Sequence, residues 1–431
     1  MPAEPVAPPA VARDGAGARA ARRVLAVLAL VAILPALYLP NLRHNFYDQK
    51  IYMSAVDWWT SGHPLYDYVQ PDRVQGALYF TYPPFAALLL APFGYLRLGV
   101  AVAAFAVLTV AAVVVTTRWL VLPVLRRHDL PLGFGLTVAV LLVLAVESTR
   151  ETITLGQINM LLVVLILGDL LFAVPQGRRW AGVGVGLAAA LKLFPGIFVL
   201  YLLAARKWRA AAVATVAAAV ATLLAAALAP GDSWRFWTDE LWATDRVGRT
   251  DYTGNQSLFG LLSRLSTSAE ADRLSWLLLA LAVAAFGLWR AARAARAGDA
   301  LVGLTLTGLV GGLVSPITWI HHLYWFIPAV VVLVDAALDA DPATPAGARR
   351  RGGLFVLAAG ISVPVVYGLV SFQDWGTAVV HTDDPVDFVV RNLYVLLSLL
   401  LLAVLPIRHH RDAPSMTRTE RTHLATNGDR R

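Results

Sequence analysis

Cysteine is absent from the 431 residues, so neither a disulfide nor a thiolate-held metal can stabilise this chain. Charge is scarce as well. Asp, Glu, Lys and Arg together supply 15% of the residues, where a soluble domain carries roughly a quarter. No P-loop, Rossmann glycine pattern or nucleophile elbow occurs, which leaves ATP-driven or nucleotide-sugar chemistry without support. Internal repeats, heptad runs and any stretch able to fold as a soluble domain are also missing. What is there is apolar: 58% of the residues are hydrophobic and the mean hydropathy is +0.63. These values describe an integral membrane protein. The formal net charge of +8 lies largely in the tails and short loops. Arginines beside apolar spans match anionic lipid heads, so no nucleic-acid partner is invoked.

A bilayer core takes about 20 apolar residues to cross. Stretches of that kind are Val24–Pro40, Leu98–Leu122, Leu132–Val146, Leu155–Val174, Ala181–Ala204, Ala210–Leu228, Leu274–Leu288, Ala300–Val314, Leu323–Ala337, Leu354–Val370 and Phe388–Leu405. Pro84–Leu96 is short enough to be a re-entrant helix, and Ala181–Ala204 is broken by Lys192 and Pro195 into two half-spans. The first run follows Arg19, Arg22 and Arg23 without a small-x-small cleavage site, and reads as an uncleaved anchor. The expectation is an all-α polytopic bundle of about 11 to 13 transmembrane helices. It occupies residues 24–407, between disordered tails at 1–23 and 408–431. The positive-inside rule puts both tails in the cytoplasm, and puts Asn45–Pro84, Pro230–Asp272, Ser315–His322 and Asp374–Asp387 outside. Arg126–Arg127, Arg178–Arg179 and Arg206–Arg209 join the inner side only if Pro84–Leu96 does not cross and Ala181–Ala204 is a hairpin.

Chemistry must then sit in clefts at the outer membrane surface. The polar interruption Asn45–Pro84 sets Asp48 a few residues beyond the first apolar run. Tyr52, Trp58, Trp59, a Gly-His-Pro turn and Tyr82-Pro-Pro84 follow. A carboxylate placed under aromatics can act as a general base toward a substrate that is half lipid; Asp57 and Asp67 compete for that role, and a solvated helix cap is the plain alternative. Ser315-Pro-Ile-Thr-Trp-Ile-His-His322 ends another apolar stretch in an aromatic cluster. On an α-helix neighbours point about 100° apart, so His322 should side with Thr318 and Trp325, and His321 with Tyr324. Such a pair can bind phosphate, move a proton, ligate a metal or simply sit at the interface; no HExxH accompanies it. An ionised lysine facing lipid in mid-span costs roughly 2.5–3.5 kcal/mol, so Lys192 should face a polar cavity or snorkel outward. In the polar loop Glu147–Asn159, Gln157 and Asn159 suit sugar hydroxyls. Arg150 there suits a phosphate, or an ion pair with Glu147 or Glu151. Trp234, Trp237 and Trp242 precede Gly254-Asn-Gln-Ser257 and suit either sugar stacking or an interfacial belt.

Taken in order, Asp48-x-x-x-Tyr52, Gly62-His-Pro-Leu-Tyr66, Phe80-Thr-Tyr-Pro-Pro84, Gly156-Gln-Ile-Asn159, Lys192-Leu-Phe-Pro195, Asn255-Gln-Ser257 and Ser315-Pro-x-x-Trp-x-His-His322 form one set. That set resembles the polytopic glycosyltransferases of the GT-C class. More narrowly it resembles glycosyltransferase family 87, the actinobacterial polyprenyl-phosphate-mannose-dependent mannosyltransferases. The resemblance implies a GT-C-like bundle with its active site at the outer, periplasmic face of the plasma membrane. It implies transfer of mannose from a polyprenyl-phosphate sugar donor to a glycolipid or lipoglycan acceptor, α-1,2-linked and with inversion. Asp48 would be the base. His321, His322, Lys192 and Arg150 would be cations for the donor phosphate, and Tyr52, Tyr82, Gln157, Asn159, Asn255, Gln256 and Trp319 would bind substrate. No cofactor is required, and a divalent metal on the outer-loop acids stays open. An arabinofuranosyl- or other polyprenyl-phosphate-sugar transferase is the near alternative. A lipid-linked-sugar flippase and a non-catalytic partner in cell-wall assembly are alternatives of other classes.

Overall fold

The structure, a computed structural model, describes residues 16–72, 76–266, 271–373, 380–382 and 384–408. The expected tail segments 1–15 and 409–431 lie outside the described residues, as do 374–379 and 383 of the last expected outer loop. From Ala16 the chain is already helical. Helices form nearly everything described. One short antiparallel ribbon, Val69–Asp72 against Gly76–Tyr79 with Val69 opposite Tyr79, lies within the segment Asn45–Pro84.

Every apolar stretch named above is helical over most of its length. Among the described residues, four helices are long and apolar enough to cross a membrane, or six if each of two bent pairs counts as one span. The four are Arg19–Thr60, Leu98–Arg127, Trp208–Leu228 and Arg273–Arg296. The first is broken by a 3-10 turn at Leu39–His44, so its apolar limb is Ala16–Tyr38, and Tyr47–Thr60 is a separate helix beyond the crossing. This number is smaller than the sequence expectation because the other apolar helices are short. Ala300–Val314, with 15 residues, rises about 22 Å against a hydrocarbon core about 30 Å thick. Val216, Leu223, Leu278 and Val356 are all more than half exposed, the outward apolar face that a lipid environment allows.

Ala300–Val314 is the centre of the bundle, with every residue from Val302 to Leu313 buried. Its C-terminal end leads into the His321–His322 turn, and its N-terminal end is capped by Asp299. The stretch 181–204 runs beside it as a hairpin. Val183–Leu191 climbs alongside Trp208–Leu228, with Gly182 against Ala210 and Gly186 against Ala214. A Cβ on Gly182 would stand 2.1 Å from the Ala210 carbonyl, and its φ is +112°, so glycine is required for this approach. The chain turns at Lys192–Gly196, and Ile197–Ala204 descends. Phe194 therefore meets Gly311 near one end of the central helix, while Tyr201 meets Gly303 near the other.

The segment Glu147–Leu155, expected as a polar loop, is a helix set at 65° to Leu132–Ala145. Glu147, Ser148, Thr149, Arg150, Glu151, Thr152 and Thr154 are all buried in it. Several of its polar groups find partners inside the protein, while Ser148 Oγ and Thr149 Oγ1 are left without a hydrogen bond. Thr152 donates to the Ser148 carbonyl at 2.7 Å, Thr154 donates to that of Arg150 at 2.9 Å, and the Tyr394 hydroxyl donates to Glu147.

Candidate active site

The helix Tyr47–Thr60 begins after two residues in left-handed conformation, Asn45 (φ 44°) and Phe46 (φ 54°). The Phe46 N–H is fixed on the Thr154 carbonyl at 2.8 Å. Asp48 stands in the first turn of that helix, where the macrodipole favours a carboxylate. Across from it, Gly156 closes Glu147–Leu155 at φ +74°, packed so tightly on Gln49 that a Cβ would come within 2.5 Å of it. That turn delivers Gln157, whose Nε2 donates to Asp48 Oδ2 at 2.6 Å.

A chain of hydrogen bonds runs on from the amide. The Tyr82 hydroxyl donates to Gln157 Oε1 at 2.8 Å and shares a 2.7 Å bond with the Tyr52 hydroxyl. Lys192 sits at the break of its hairpin in extended conformation, with Pro195 starting the next turn. Its Nζ donates to the Tyr82 hydroxyl at 3.1 Å and to Asn159 Oδ1 at 3.0 Å, and lies 4.8 Å over the Tyr82 ring. Asn159 Nδ2 in turn donates to the His321 carbonyl at 3.0 Å. Segments from five regions of the chain thus close one pocket of about 420 Å³, within the size range of small-molecule sites. Asp48, Tyr52, Tyr82, Gln157, Lys192, Trp319, His321 and His322 all line it. Asn159 lies one layer behind, lining only a small recess of about 30 Å³.

The two histidines sit in a single 3-10 turn, Ile320–His322, not on an α-helix. Both therefore reach the same pocket, with their rings edge to face at 4.5 Å. The Trp319 N–H donates to His322 Nδ1 at 3.2 Å, which makes Nδ1 an acceptor and leaves the ring proton on Nε2. That Nε2 and both ring nitrogens of His321 have no hydrogen-bond partner. Burial, and then the charge of Lys192, hold both imidazoles well below the ordinary histidine range. The expected cations are thus neutral rings, each with one N–H to give. Asp48 is half-buried in the pocket wall. Burial pushes its carboxyl up to about 6, against the opposing pulls of the Gln157 hydrogen bond and the Lys192 charge. A carboxyl poised there is a stronger base than an exposed aspartate and still ionised at neutral pH.

Besides Asn159, three further expected site residues lie outside the pocket. Arg150 does not line the pocket. Its Nε donates to Asn41 Oδ1 at 3.2 Å, and its guanidinium also donates to the Val366 carbonyl at 2.6 Å and to that of Ala145, which ties the bend of its helix to two others. Asn255 spends its side chain on the main chain. Nδ2 donates to the Thr250 and Pro316 carbonyls at 3.0 and 3.1 Å, and Oδ1 accepts from Thr318 N at 2.9 Å. Gln256 Nε2 donates to the Thr253 and Arg391 carbonyls at 2.7 Å each, and its Oε1 accepts from Tyr394 N. Both shape the His turn from behind and have no reach left for a sugar. Conversely, Arg43, His44, Glu151 and Arg246 line the pocket without having been expected. Arg43 and His44 adjoin Asn45 in sequence and were detectable as basic neighbours of the Asp48 loop. Arg246 carried no local signal: what places it is the 4.0 Å stack on Tyr79 and the 2.6 Å ion pair with Glu240.

Among the described residues, the His and carboxylate group with spacing fit for a metal is His128, Asp335 and Asp339, none of which lines the pocket of Asp48. Asp335 there already accepts from Arg127 at 2.7 Å and Arg408 at 2.6 Å, so the group is neutralised by protein cations.

The sequence profile of Glycosyltransferase family 87 matches residues 80–316. A polyprenol-phosphate-mannose-dependent alpha-(1-2)-phosphatidylinositol mannoside mannosyltransferase of Mycobacterium tuberculosis is 36% identical over 66% of this chain and 69% of its own length. A polyprenol-phosphate-mannose-dependent alpha-(1-2)-phosphatidylinositol pentamannoside mannosyltransferase of Mycolicibacterium smegmatis is 34% identical over 74% of this chain and 76% of its own. An alpha-(1->3)-arabinofuranosyltransferase of Mycobacterium tuberculosis is 30% identical over 62% of this chain and 59% of its own. No solved structure matches the chain.

Proposed function

This chain belongs to glycosyltransferase family 87, and from that premise we propose that it transfers mannose from polyprenyl-phospho-mannose to a hydroxyl of a phosphatidylinositol mannoside, forming an α-1,2 link. The observation that carries this reading is the convergence of Asp48, Lys192, His321 and His322 on one pocket. Asp48 takes the proton of the acceptor hydroxyl as that oxygen bonds to the anomeric carbon. The bond from that carbon to the phosphate oxygen breaks, and polyprenyl phosphate leaves with the electron pair. Attack opposite the leaving group inverts the centre, so a β-linked donor yields an α-linked product. The leaving phosphate gains charge in the transition state, where the Lys192 ammonium and the imidazole N–H groups act as preorganised donors. Tyr52, Tyr82 and Trp319 offer hydroxyls and an aromatic face to the sugars, and Gln157 holds the base in place.

The pocket faces outward in this reading, with the chain crossing the membrane about 11 to 13 times and residues 24–407 forming one catalytic unit. Support comes from the arginines. Arg127 and Arg408 gather with Asp299 and Asp335 at the N-terminal end of the central helix, opposite the pocket. Arg209 holds the 177–178 turn at that same end, and the positive-inside rule makes it cytoplasmic. A flippase finds no counterpart among the relatives named, which are transferases.

The test is in vitro transfer by the purified protein, with labelled polyprenyl-phospho-mannose and phosphatidylinositol mannosides, followed by linkage analysis of the product. An α-1,2-mannosylated product is expected. Turnover with polyprenyl-phospho-arabinose and none with the mannose donor would replace this reading by the arabinofuranosyl one.

A further inference from the structure

Glu151 lines the pocket and has no task in the chemistry above. It is 4% exposed, on the helix Glu147–Leu155, which packs against the His321 turn. Its Oε2 lies 3.8 Å from Nδ1 of His321, which is itself 5% exposed. The His321 backbone is pinned by Asn159, yet neither ring nitrogen has a hydrogen-bond partner. Of the two, Nδ1 is the one beside the carboxyl, which leaves Nε2 for a ligand.

A carboxyl and an imidazole buried side by side can avoid an isolated charge by holding one proton between them. As acid and neutral ring the pair is uncharged, with Nδ1 accepting and the ring proton on Nε2. As carboxylate and imidazolium it is a dipole with its positive end on the ring, and Nε2 still carries its proton. The net charge is equal in both forms, so the exchange needs no proton from water. Negative charge growing beyond Nε2 favours the second form. The charged and titratable neighbours of the ring are Lys192, His44 and His322. Those of the carboxyl are Glu147, Asp48, Arg150 and Arg43. The Lys192 charge beside the ring opposes imidazolium at rest, and an incoming phosphate cancels that opposition.

We propose that Glu151 is a positioning residue whose carboxyl closes the 3.8 Å gap to His321 Nδ1 when the donor binds and then shares one proton with it, so that His321 presents Nε2–H to the departing phosphate and turns into imidazolium as charge builds there. This rests on the transfer reading above. The proton moves from Glu151 Oε2 to Nδ1, while the acceptor's proton goes separately to Asp48.

The test combines kinetics with a readout that needs no turnover. Glu151→Gln keeps the size of the side chain and cannot give up a proton. In the full-length protein in nanodiscs, kcat should fall about 10- to 100-fold while the donor KM moves less than about threefold. Glu151→Asp should recover part of the loss. In a His321→Gln background, Glu151→Gln should cost less than about twofold more. Equal multiplicative losses in both backgrounds overturn the proposal, as does an undiminished kcat in the single variant. Nitrogen-15 imidazole spectra of the donor-bound protein, with His321 identified by the signal lost in His321→Gln, should show its Nδ1 resonance moving in Glu151→Gln. An unmoved resonance also overturns the pair. If that resonance moves while the wild-type protein transfers no mannose, the pair stands and the transfer reading fails. Should Glu151→Gln not fold, Glu151→Asp carries both measurements.

Discussion

The two ends of the central helix Ala300–Val314 carry opposite kinds of polar cluster. At its N-terminal end Asp335, 3% exposed, accepts from His128 Nε2 at 2.8 Å on one oxygen and from Arg127 and Arg408 on the other. Arg408 also reaches Asp339 at 2.9 Å, and its main-chain N–H donates to the helix-capping Asp299 at 3.0 Å. At its C-terminal end Asp48, Lys192 and the two histidines surround a cavity, and three imidazole nitrogens are left without partners. Both clusters are charged and internal. The first is closed: each oxygen of its central carboxylate is matched by protein, which fastens three helix ends and the last described residue together. The second holds its groups in place from behind and leaves their other atoms unsatisfied. A buried polar atom without a partner is costly to fold, so a cluster of them beside a cavity marks where a ligand completes the set.

That contrast can be broken by experiment, since pocket changes should remove turnover and clamp changes should remove stability. Asp48→Asn should lower kcat about 10³-fold or more by removing the base, with the thermal midpoint in detergent nearly unchanged. Near-normal transfer by this variant would end the base assignment. Lys192→Met should lower kcat about 10²-fold, because a preorganised donor to the leaving phosphate is lost. Asp335→Ala should do the reverse. It strands two arginines and a histidine and should lower stability by about 3 kcal/mol, read as a lower thermal midpoint, while the folded fraction keeps its kcat. A clamp variant with normal stability but lost turnover would erase the distinction between the two ends. The pH profile should show a smaller effect. Asp48 must be ionised to accept a proton, so kcat/KM should fall about tenfold per unit as pH drops below about 6. Lys192 pulls that carboxyl down, so in Lys192→Met the acid limb should shift to higher pH; a shift to lower pH contradicts the geometry. The smallest effect belongs to Asn255→Ala, which should cost about 1–3 kcal/mol of stability and leave the folded enzyme's donor KM within about twofold.

Much of the helical content was readable because it depends on neighbours in sequence. Ala300–Val314 was delimited to the residue, and Lys192 with Pro195 announced the break of the 181–204 hairpin. Errors arose where a polar segment is buried. Glu147–Leu155 reads as loop from its composition, but its partners are Tyr394 and the bend at Ala145, so it folds as a buried helix. The His pair reads as helical, and the 3-10 turn that brings both rings to one pocket is set by Thr318 and Asn255 behind it. Asn255, Gln256 and Arg150 have the side chains of ligand-binding residues and were assigned accordingly. Asn255 and Gln256 spend their side chains on the main chain, and Arg150 spends its own on Asn41 and two carbonyls.

Composition and the order of short motifs were enough to establish a helical membrane protein of this glycosyltransferase family, because hydrophobic length and motif order can be read along the chain. Which polar side chains open into the pocket was decided only by tertiary structure. Gln157 reaches Asp48 across 109 residues and Asn159 reaches the His321 carbonyl across 162, so the orientation of each group depends on a partner that no local pattern specifies.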